Sequence, residues 1–389
     1  MPTTHENLIR QIHASGTQFV LCLTGGGSSV IGELLEVPGG SGSVLEAVVP
    51  YGSAALDALL GSRPEKYCCE STARKMAMRA FQRGRGYLGA VGGLETTPGD
   101  SPGAKTAGSA HLAGIGCTAS LASDRPKRGA HRAHVAVQAL SFTSSISLEL
   151  TKDARSRSEE EAIVTAVVLN AVAEACGLAE RVPLELLPEE TPIRQRIDAP
   201  TAWQELLWGQ RRAVCQSGSS APPKILFPGS YHPRHDAHLQ MAQLANQRLG
   251  HPVAYEISVE NVDKPLLDYG AIAQRAQEFT AETLWLTRAP TFVEKANLFP
   301  GVTFVVGVDT MRRIAEPKYY GGNAAARDAA IARLTEQGCQ FLVFGRVDQG
   351  QFQTLEDLPL PPTLRAMCQS VPPELFRHDV SSTQLRRAE

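Results

Sequence analysis

The chain has 389 residues, 43% of them hydrophobic and 20% charged, with 38 Lys and Arg against 40 Asp and Glu for a net charge of −2. At ~150 residues per domain such a length calls for two or three domains, and two is the working number. So balanced a charge gives no bulk attraction to nucleic acid or to a membrane surface, and any bound anion must be held by local chemistry.

The start, "MPTTHENLIRQ", has no basic segment leading into an apolar run, and no stretch approaches the ~18 uninterrupted apolar residues of a membrane span. The eight cysteines (22, 68, 69, 117, 176, 215, 339 and 368) form no C-x-x-C pair and no zinc-knuckle spacing. Free thiols in a reducing cytoplasm are therefore expected rather than a disulfide framework. Short apolar runs then alternate with helical patterns, as in "TQFVLCLTGG" (17–26), "SVLEAVVPYG" (43–52) and "STARKMAMRAFQRG" (71–84), the signature of an α/β layer fold. "GLETTPGDSPGAKTAGSA" (93–110) is rich in Gly, Pro, Ser and Thr and reads as an exposed loop. "HRAHVAVQALSFTSSISLEL" (131–150) has the alternation of two strands in a hairpin. After it Ser158 and Glu161 predict a capping box, Ile163, Val167 and Ala171 a helix face, and Gly177 its stop.

Prolines at 183, 188, 192 and 200 and the linker-like "QSGSSAPP" (216–223) make 181–223 a predicted linker between a first domain (1–180) and a second (224–389). Beyond it "KILFPGSY", "PVAYEISV", "TLWLT", "TFVVGVD" and "QFLVFGRV" are five strand candidates separated by helical patterns. They predict a Rossmann-like, doubly wound parallel sheet.

The first of these strands runs into "GSYHPRHDAH" (229–238), a turn with three histidines. His235 and His238 are three apart at a helix start and share one face of its first turn, where unpaired N–H groups and the positive pole of the helix favour an anion. Metal ligation needs a third ligand that H-x-x-H does not supply, and surface decoration is the remaining reading. Gly229 at the strand end favours close approach of a ligand to the backbone.

That segment resembles the G-[ST]-[FY]-[DN]-P-x-H-x-G-H signature of the nucleotidyltransferase superfamily, specifically the nicotinate or nicotinamide mononucleotide adenylyltransferases. "VSSTQLR" (380–386) resembles the family's second motif, I-S-S-T-x-[IL]-R, and "FVVGVDTMRRI" (304–314) its strand followed by G-x-D. His232 stands where the family has Asp or Asn, and Ala237 where it has glycine. The resemblance covers about 224–389 and implies adenylyl transfer from ATP, accompanied by Mg2+, to a mononucleotide. It assigns His235, His238 and Arg386 to catalysis. Gly229, Ser230, His232, Gly307, Asp309, Ser382 and Thr383 would hold ATP, and Lys264, Arg288 and Arg346, with Lys295, are candidates for the acceptor pocket. Trp285 is either a stacking platform for a pyridine ring or core.

In the first domain "LCLTGG", "VPGGS" and "VVPYGSAAL" resemble the E-S-C-T-G-G, V-P-G-[AG]-S and V-x-Y-S-N-x-x-K segments of the CinA C-terminal family, the nicotinamide-nucleotide amidase domain. "YCCESTARKMAMRA" (67–80) and "LAGIGCTAS" (112–120) resemble two further segments, so the likeness covers about 5–178. Cys22 replaces the family's serine, Leu21 its glutamate and Leu56 its lysine, while Tyr51 is kept. The domain is therefore expected to be degenerate, with Cys22, Thr24, Gly25, Gly26, Ser28, Tyr51, Cys117 and Thr118 around any ligand. It would serve as a nucleotide-binding or homo-oligomerisation platform. Amide hydrolysis through Cys22 and a catalytically silent nucleotide-binding regulator are the alternatives.

Overall fold

The computed structural model describes residues 5–94, 111–124, 128–261, 265–348 and 351–377, with the side chains of 90–94 set aside. The chain is an α/β protein that divides into two compact units, Met1–Gln204 with Asp263–Ala271, and Glu205–Val262 with Ile272–Glu389. Among the described residues no helix is long and apolar enough to cross a membrane.

Unit 1 runs α1 (Glu6–Ala14), β1 (Gln18–Thr24), α2 (Ser29–Glu36), α3 (Gly40–Ser43), β2 (Val44–Val48), α4 (Ser53–Leu60) and α5 (Glu70–Leu94). It continues through β3 (Leu112–Ser120), β4 (His131–Ala139), β5 (Phe142–Leu150), α6 (Arg157–Ala175) and β6 (Ile193–Asp198) to α7 (Thr201–Trp208), within which the boundary falls. Its six strands are ordered β2-β1-β3-β4-β5-β6, parallel from β2 to β3 and antiparallel beyond. Alternate residues of β1 point to opposite faces. Phe19, Leu21 and Leu23 pack with α1, α2 and α6, whereas Val20 and Cys22 pack with α4 and α5.

Helix α5 lies on β3 at two glycines. A Cβ on Gly116 would come within 2.5 Å of the Ala77 backbone nitrogen and 2.9 Å of Met76 Cβ. Gly116→Ala must push a helix off a strand and is expected to cost about 1–3 kcal/mol. Gly86, on the exposed side of α5 with open space around it, should behave oppositely, Gly86→Ala stabilising by about 0.5–1 kcal/mol through helix propensity. Urea denaturation of the two variants reads both signs.

Two expectations need correction here. The capping box of α6 is Ser156 with Glu159, not Ser158 with Glu161; both pairs have the S-x-x-E spacing, and Glu161 is engaged elsewhere. The predicted linker 181–223 is largely structured, because β6 extends the first sheet beside β5 and β7 (Ala213–Ser217) extends the second. "IRQRID" is an exposed edge strand, which needs no apolar alternation and so left no pattern to read. Unit 1 also recruits Asp268 and Tyr269 from far along the chain, through an Arg74–Asp268 ion pair at 3.4 Å and a Tyr269 hydroxyl donating to the Leu140 carbonyl at 2.6 Å.

Unit 2 continues from β7 through β8 (Ile225–Pro228), α8 (Asp236–Leu249), β9 (Val253–Ser258), α9 (Tyr269–Ala276, begun in unit 1) and β10 (Thr283–Thr287). There follow α10 (Phe292–Leu298), β11 (Thr303–Gly307), α11 (Val308–Ala315), α12 (Ala324–Glu336), β12 (Gln340–Phe344), β13 (Arg346–Asp348), β14 (Gln351–Gln353), α13 (Pro362–Ala366) and β15 (Cys368–Ser370). The sheet order is β15-β12-β11-β8-β9-β10-β7, parallel except for β7. From β8 the chain builds outward through β9 and β10, then crosses over to lay β11, β12 and β15 on the other side. The reversal falls between β8 and β11, a topological switch point at which open α/β sheets leave a crevice beyond the strand ends. Pairing of β8 with β11 stops at Leu226–Phe304, so the two strands are unpaired beyond it.

Candidate functional site

That crevice is a cavity of about 300 Å³, at the small end of the range for ligand sites. It is lined by Phe227 to Ser230 from the end of β8, His235, Ala237, His238 and Met241 from the start of α8, Val306 to Thr310 less Val308 from β11 and α11, and Phe344, Gly345, Arg346 and Phe376. Gly229, Ser230, His235, His238, Gly307, Asp309 and Arg346, read from the sequence as site residues, therefore meet in one place. Phe344, Phe376, Met241 and Thr310 join them without any motif of their own. A shallower hollow of about 940 Å³ beside α12 and Pro359 to Thr363 holds none of the motif residues.

Two helix N-termini open on the cavity, α8 with His235 as N-cap and α11 with Gly307 as N-cap. His235 donates its backbone N–H to His238 Nδ1 at 3.2 Å, and the two rings stack at 3.8 Å between centroids. Burial, reinforced by the charges of His235 and Arg234, depresses the His238 pKa to about 3. At neutral pH the imidazole is thus uncharged. With Nδ1 accepting from the backbone, its proton sits on Nε2. The site offers a fixed neutral donor, where proton transfer would need a titrating one.

Gly229 plays a different part from the one its position in the motif implies. Its N–H donates to the Glu256 carbonyl at 2.9 Å, so it is not available to a phosphate. A Cβ there would lie 2.5 Å from Cζ of the Tyr231 ring. Glycine is required to seat Tyr231, and Ser230, exposed at the cavity, is the residue of this pair left facing a ligand.

Charge at the cavity is balanced. Arg346 is ion-paired with Asp309, and Arg312 pairs with Asp348 at 3.2 Å and bonds Gln353, tying the β13–β14 hairpin to α11. Among the described residues no group of three or more His, Cys, Asp or Glu forms a metal site. Asp309 is the one carboxylate lining the cavity among them.

Four candidates fall away from the cavity. Arg288 pairs with Glu260 at 2.7 Å and donates to the Leu207 carbonyl at 3.2 Å, bracing the end of β10. Lys295 is buried against Glu256, with Nζ 2.7 and 2.9 Å from the two carboxylate oxygens. His232 is half-buried and does not line the cavity. Trp285 packs edge-on to Phe299 at 5.1 Å. Lys264, Ser382, Thr383 and Arg386 lie outside the described residues, as does most of 93–110.

In unit 1 the glycine-rich turn between β1 and α2 is filled by the protein itself. Glu161 Oε1 accepts from the Ser29 N–H at 3.3 Å and from the Ser28 and Ser29 hydroxyls at 3.4 Å, occupying the anion seat at the start of α2. Gly25 has φ +78° and carries its carbonyl to Arg157 Nη2 at 2.9 Å, and a Cβ on Gly26 would meet Leu121 at 2.7 Å. Thr24 donates to the Pro50 carbonyl and Thr118 to the Tyr67 carbonyl. Cys117 is fully enclosed, its Sγ 3.6 Å from the Gly26 carbonyl, while Tyr51 is 70% exposed. Apart from the exposed Tyr51, these residues are engaged within the protein around the turn.

Cys22, on β1, packs against α4 and α5, and burial pushes its thiol up to about 12; burial raises Cys117 further. Neither is a thiolate near neutrality, which weighs against Cys22 as a substitute nucleophile for amide hydrolysis. Burial also acts upward on Cys69, but its hydrogen bonding with Ser71 and Thr72 and the charge of Lys75 outweigh it and leave that thiol below its ordinary range. Iodoacetamide at pH 8 is expected to label Cys69 first and to spare Cys22 and Cys117 in the folded protein, as read by peptide mass spectrometry. Early labelling of Cys22 would restore it as a candidate nucleophile.

No family model matches the chain, and no curated protein matches it. Among solved structures it is similar to the crystal structure of competence/damage inducible protein CihA from Agrobacterium tumefaciens, at 19% identity and a TM-score of 0.33, over 46% of this chain and 98% of that one.

Proposed function

We propose that unit 2 is a nucleotidyltransferase, moving an adenylyl or other nucleotidyl group from ATP to a mononucleotide such as nicotinamide or nicotinate mononucleotide and releasing pyrophosphate. The observation that supports it is the convergence of Ser230, the stacked His235 and His238, and the N-termini of α8 and α11 on one cavity at the switch point of a doubly wound sheet.

In this reading the acceptor's phosphate oxygen attacks the α-phosphorus of ATP. One P–O bond forms as the bond to the bridging oxygen of pyrophosphate breaks, in line and without a covalent enzyme intermediate. No protein proton has to move, so the work is positioning and charge stabilisation. A neutral His238 donating from Nε2 suits that task, and the two helix N-termini favour the negative phosphates. Arg346 would exchange its pairing with Asp309 for a phosphate. Mg2+ would enter with ATP, held by phosphate oxygens and water, with Asp309 the lining residue of suitable chemistry. Ser382, Thr383 and Arg386 remain proposed partners of the outer phosphates on the strength of their motif. Unit 1 is proposed as an accessory platform through which copies of the chain associate.

Incubation with ATP, Mg2+ and each pyridine mononucleotide is expected to release pyrophosphate, with no ammonia from unit 1. Tight nucleotide binding without pyrophosphate would instead favour a regulator.

A further inference from the structure

We propose that Tyr231 is a positioning residue of this cavity, acting through His238: its buried ring holds the neighbouring imidazole with Nε2–H toward the ligand. The inference rests on the transferase reading for the identity of the ligand, but the placement of the imidazole stands on geometry alone.

Tyr231 is 1% exposed and has φ +42°, in the left-handed region that a bulky side chain enters only when its surroundings compel it. Three contacts supply that compulsion. The hydroxyl donates to the Phe227 carbonyl at 2.6 Å, so the residue folds back on the strand that leads to it. The ring meets Phe227, Tyr255 and Phe279 edge-on at 5.7, 5.5 and 5.2 Å, the favoured aromatic geometry. And it occupies the space that a side chain on Gly229 would need.

From this seat the ring lies 5.0 Å from the His238 ring, centroid to centroid, at an interplanar angle of 70°. Phe227 borders the same imidazole at 5.9 Å and His235 stacks on it at 3.8 Å. Arg234, three residues on, fixes the other end of the turn by lying over Tyr255 and Phe279 and pairing with Glu282. His238 is therefore held on one side by its bond from the His235 N–H and on another by Tyr231, and the edge carrying Nε2 is the one left for the cavity. Removing the ring opens space into which the imidazole can turn, and admits water to a group now kept neutral by burial. A displacement of about 1 Å in a catalytic group is enough for a large loss of rate.

The test uses the full chain carrying Tyr231→Phe, Tyr231→Leu and Tyr231→Met, with His238 followed by NMR on histidine-labelled protein without nucleotide, and pyrophosphate release measured alongside. The wild-type and Tyr231→Phe proteins are expected to keep His238 neutral down to pH 5, with kcat within about threefold of each other. Tyr231→Leu and Tyr231→Met should bring its titration up into the range of an exposed histidine and lower kcat about tenfold or more, with KM for ATP little changed. The proposal is overturned if the leucine and methionine variants leave that titration and kcat as they were. It is equally overturned if both fail to fold while Tyr231→Phe is normal, since the ring would then serve only stability. A changed titration in the variants, with no pyrophosphate from the wild-type protein, would count against the transferase reading and leave the positioning role standing.

Discussion

His238→Ala is expected to lower pyrophosphate release about 100-fold or more, the usual loss when one fixed donor to a developing charge is removed. The variant takes away the Nε2–H and also the acceptor of the His235 N–H, so part of the loss will come from a relaxed His235. His238→Gln separates the two contributions, because its side-chain amide keeps an N–H donor of similar reach. Recovery of part of the rate in His238→Gln would mark donation as the larger effect. Loss of the low titration itself is not what would slow the proposed reaction: a group with a pKa of about 3 carries no charge change across the physiological range. The rate of the parent protein should therefore show no limb from His238 between pH 5 and 8.

Lys295→Met is expected to destabilise unit 2 by about 3–5 kcal/mol, because it leaves the Glu256 carboxylate buried without its cation. Glu256 is 1% exposed and Lys295 5%. The ammonium also donates to the Ala289 carbonyl at 2.7 Å, and the carboxylate accepts from the Thr287 hydroxyl. The pair ties α10 to β9, and the backbone carbonyl of the same Glu256 holds the Gly229 N–H. Adding Glu256→Gln removes the orphaned charge and keeps a partner for Thr287, and should restore most of the loss. Urea denaturation of the two variants checks both expectations. A loss below about 1 kcal/mol in Lys295→Met would mean that water reaches the pair and that it is not a buried one.

The order of strands and helices could be read along most of the chain because parallel strands are buried on both faces and write continuous apolar runs such as "FVVG" and "FLVF". Edge strands do not. β6, with four of its six residues charged or amide-bearing, and β7 beside the serine-rich "QSGSS" looked like linker for that reason. Local motifs likewise bring residues to one site only where a turn and the helix after it carry them together, as from Gly229 to His238. Single basic residues gave no such guidance. Arg288, Lys295 and Arg346 have equal claims as letters, and only packing sends the first to Glu260 and a carbonyl in the last turn of α7, the second into the core and the third to the cavity. Tyr231 was visible as the aromatic of the motif, but its role depends on a left-handed backbone and on the missing side chain of Gly229, neither of which a one-dimensional pattern records. In unit 1 the glycine-rich turn looked like a phosphate cradle. Whether such a turn is open depends on a residue more than a hundred positions away, and here Glu161 closes it.

A crystal structure of the full chain with a non-hydrolysable ATP analogue and Mg2+ tests the central claim most directly. Phosphate oxygens are expected within about 2.7–3.2 Å of His238 Nε2, beside Ser230 and the first turn of α11, with Arg346 turned from Asp309 toward them. An analogue bound away from the β8–β11 crevice, or a metal ion coordinated by the two imidazoles in place of phosphate, would contradict it.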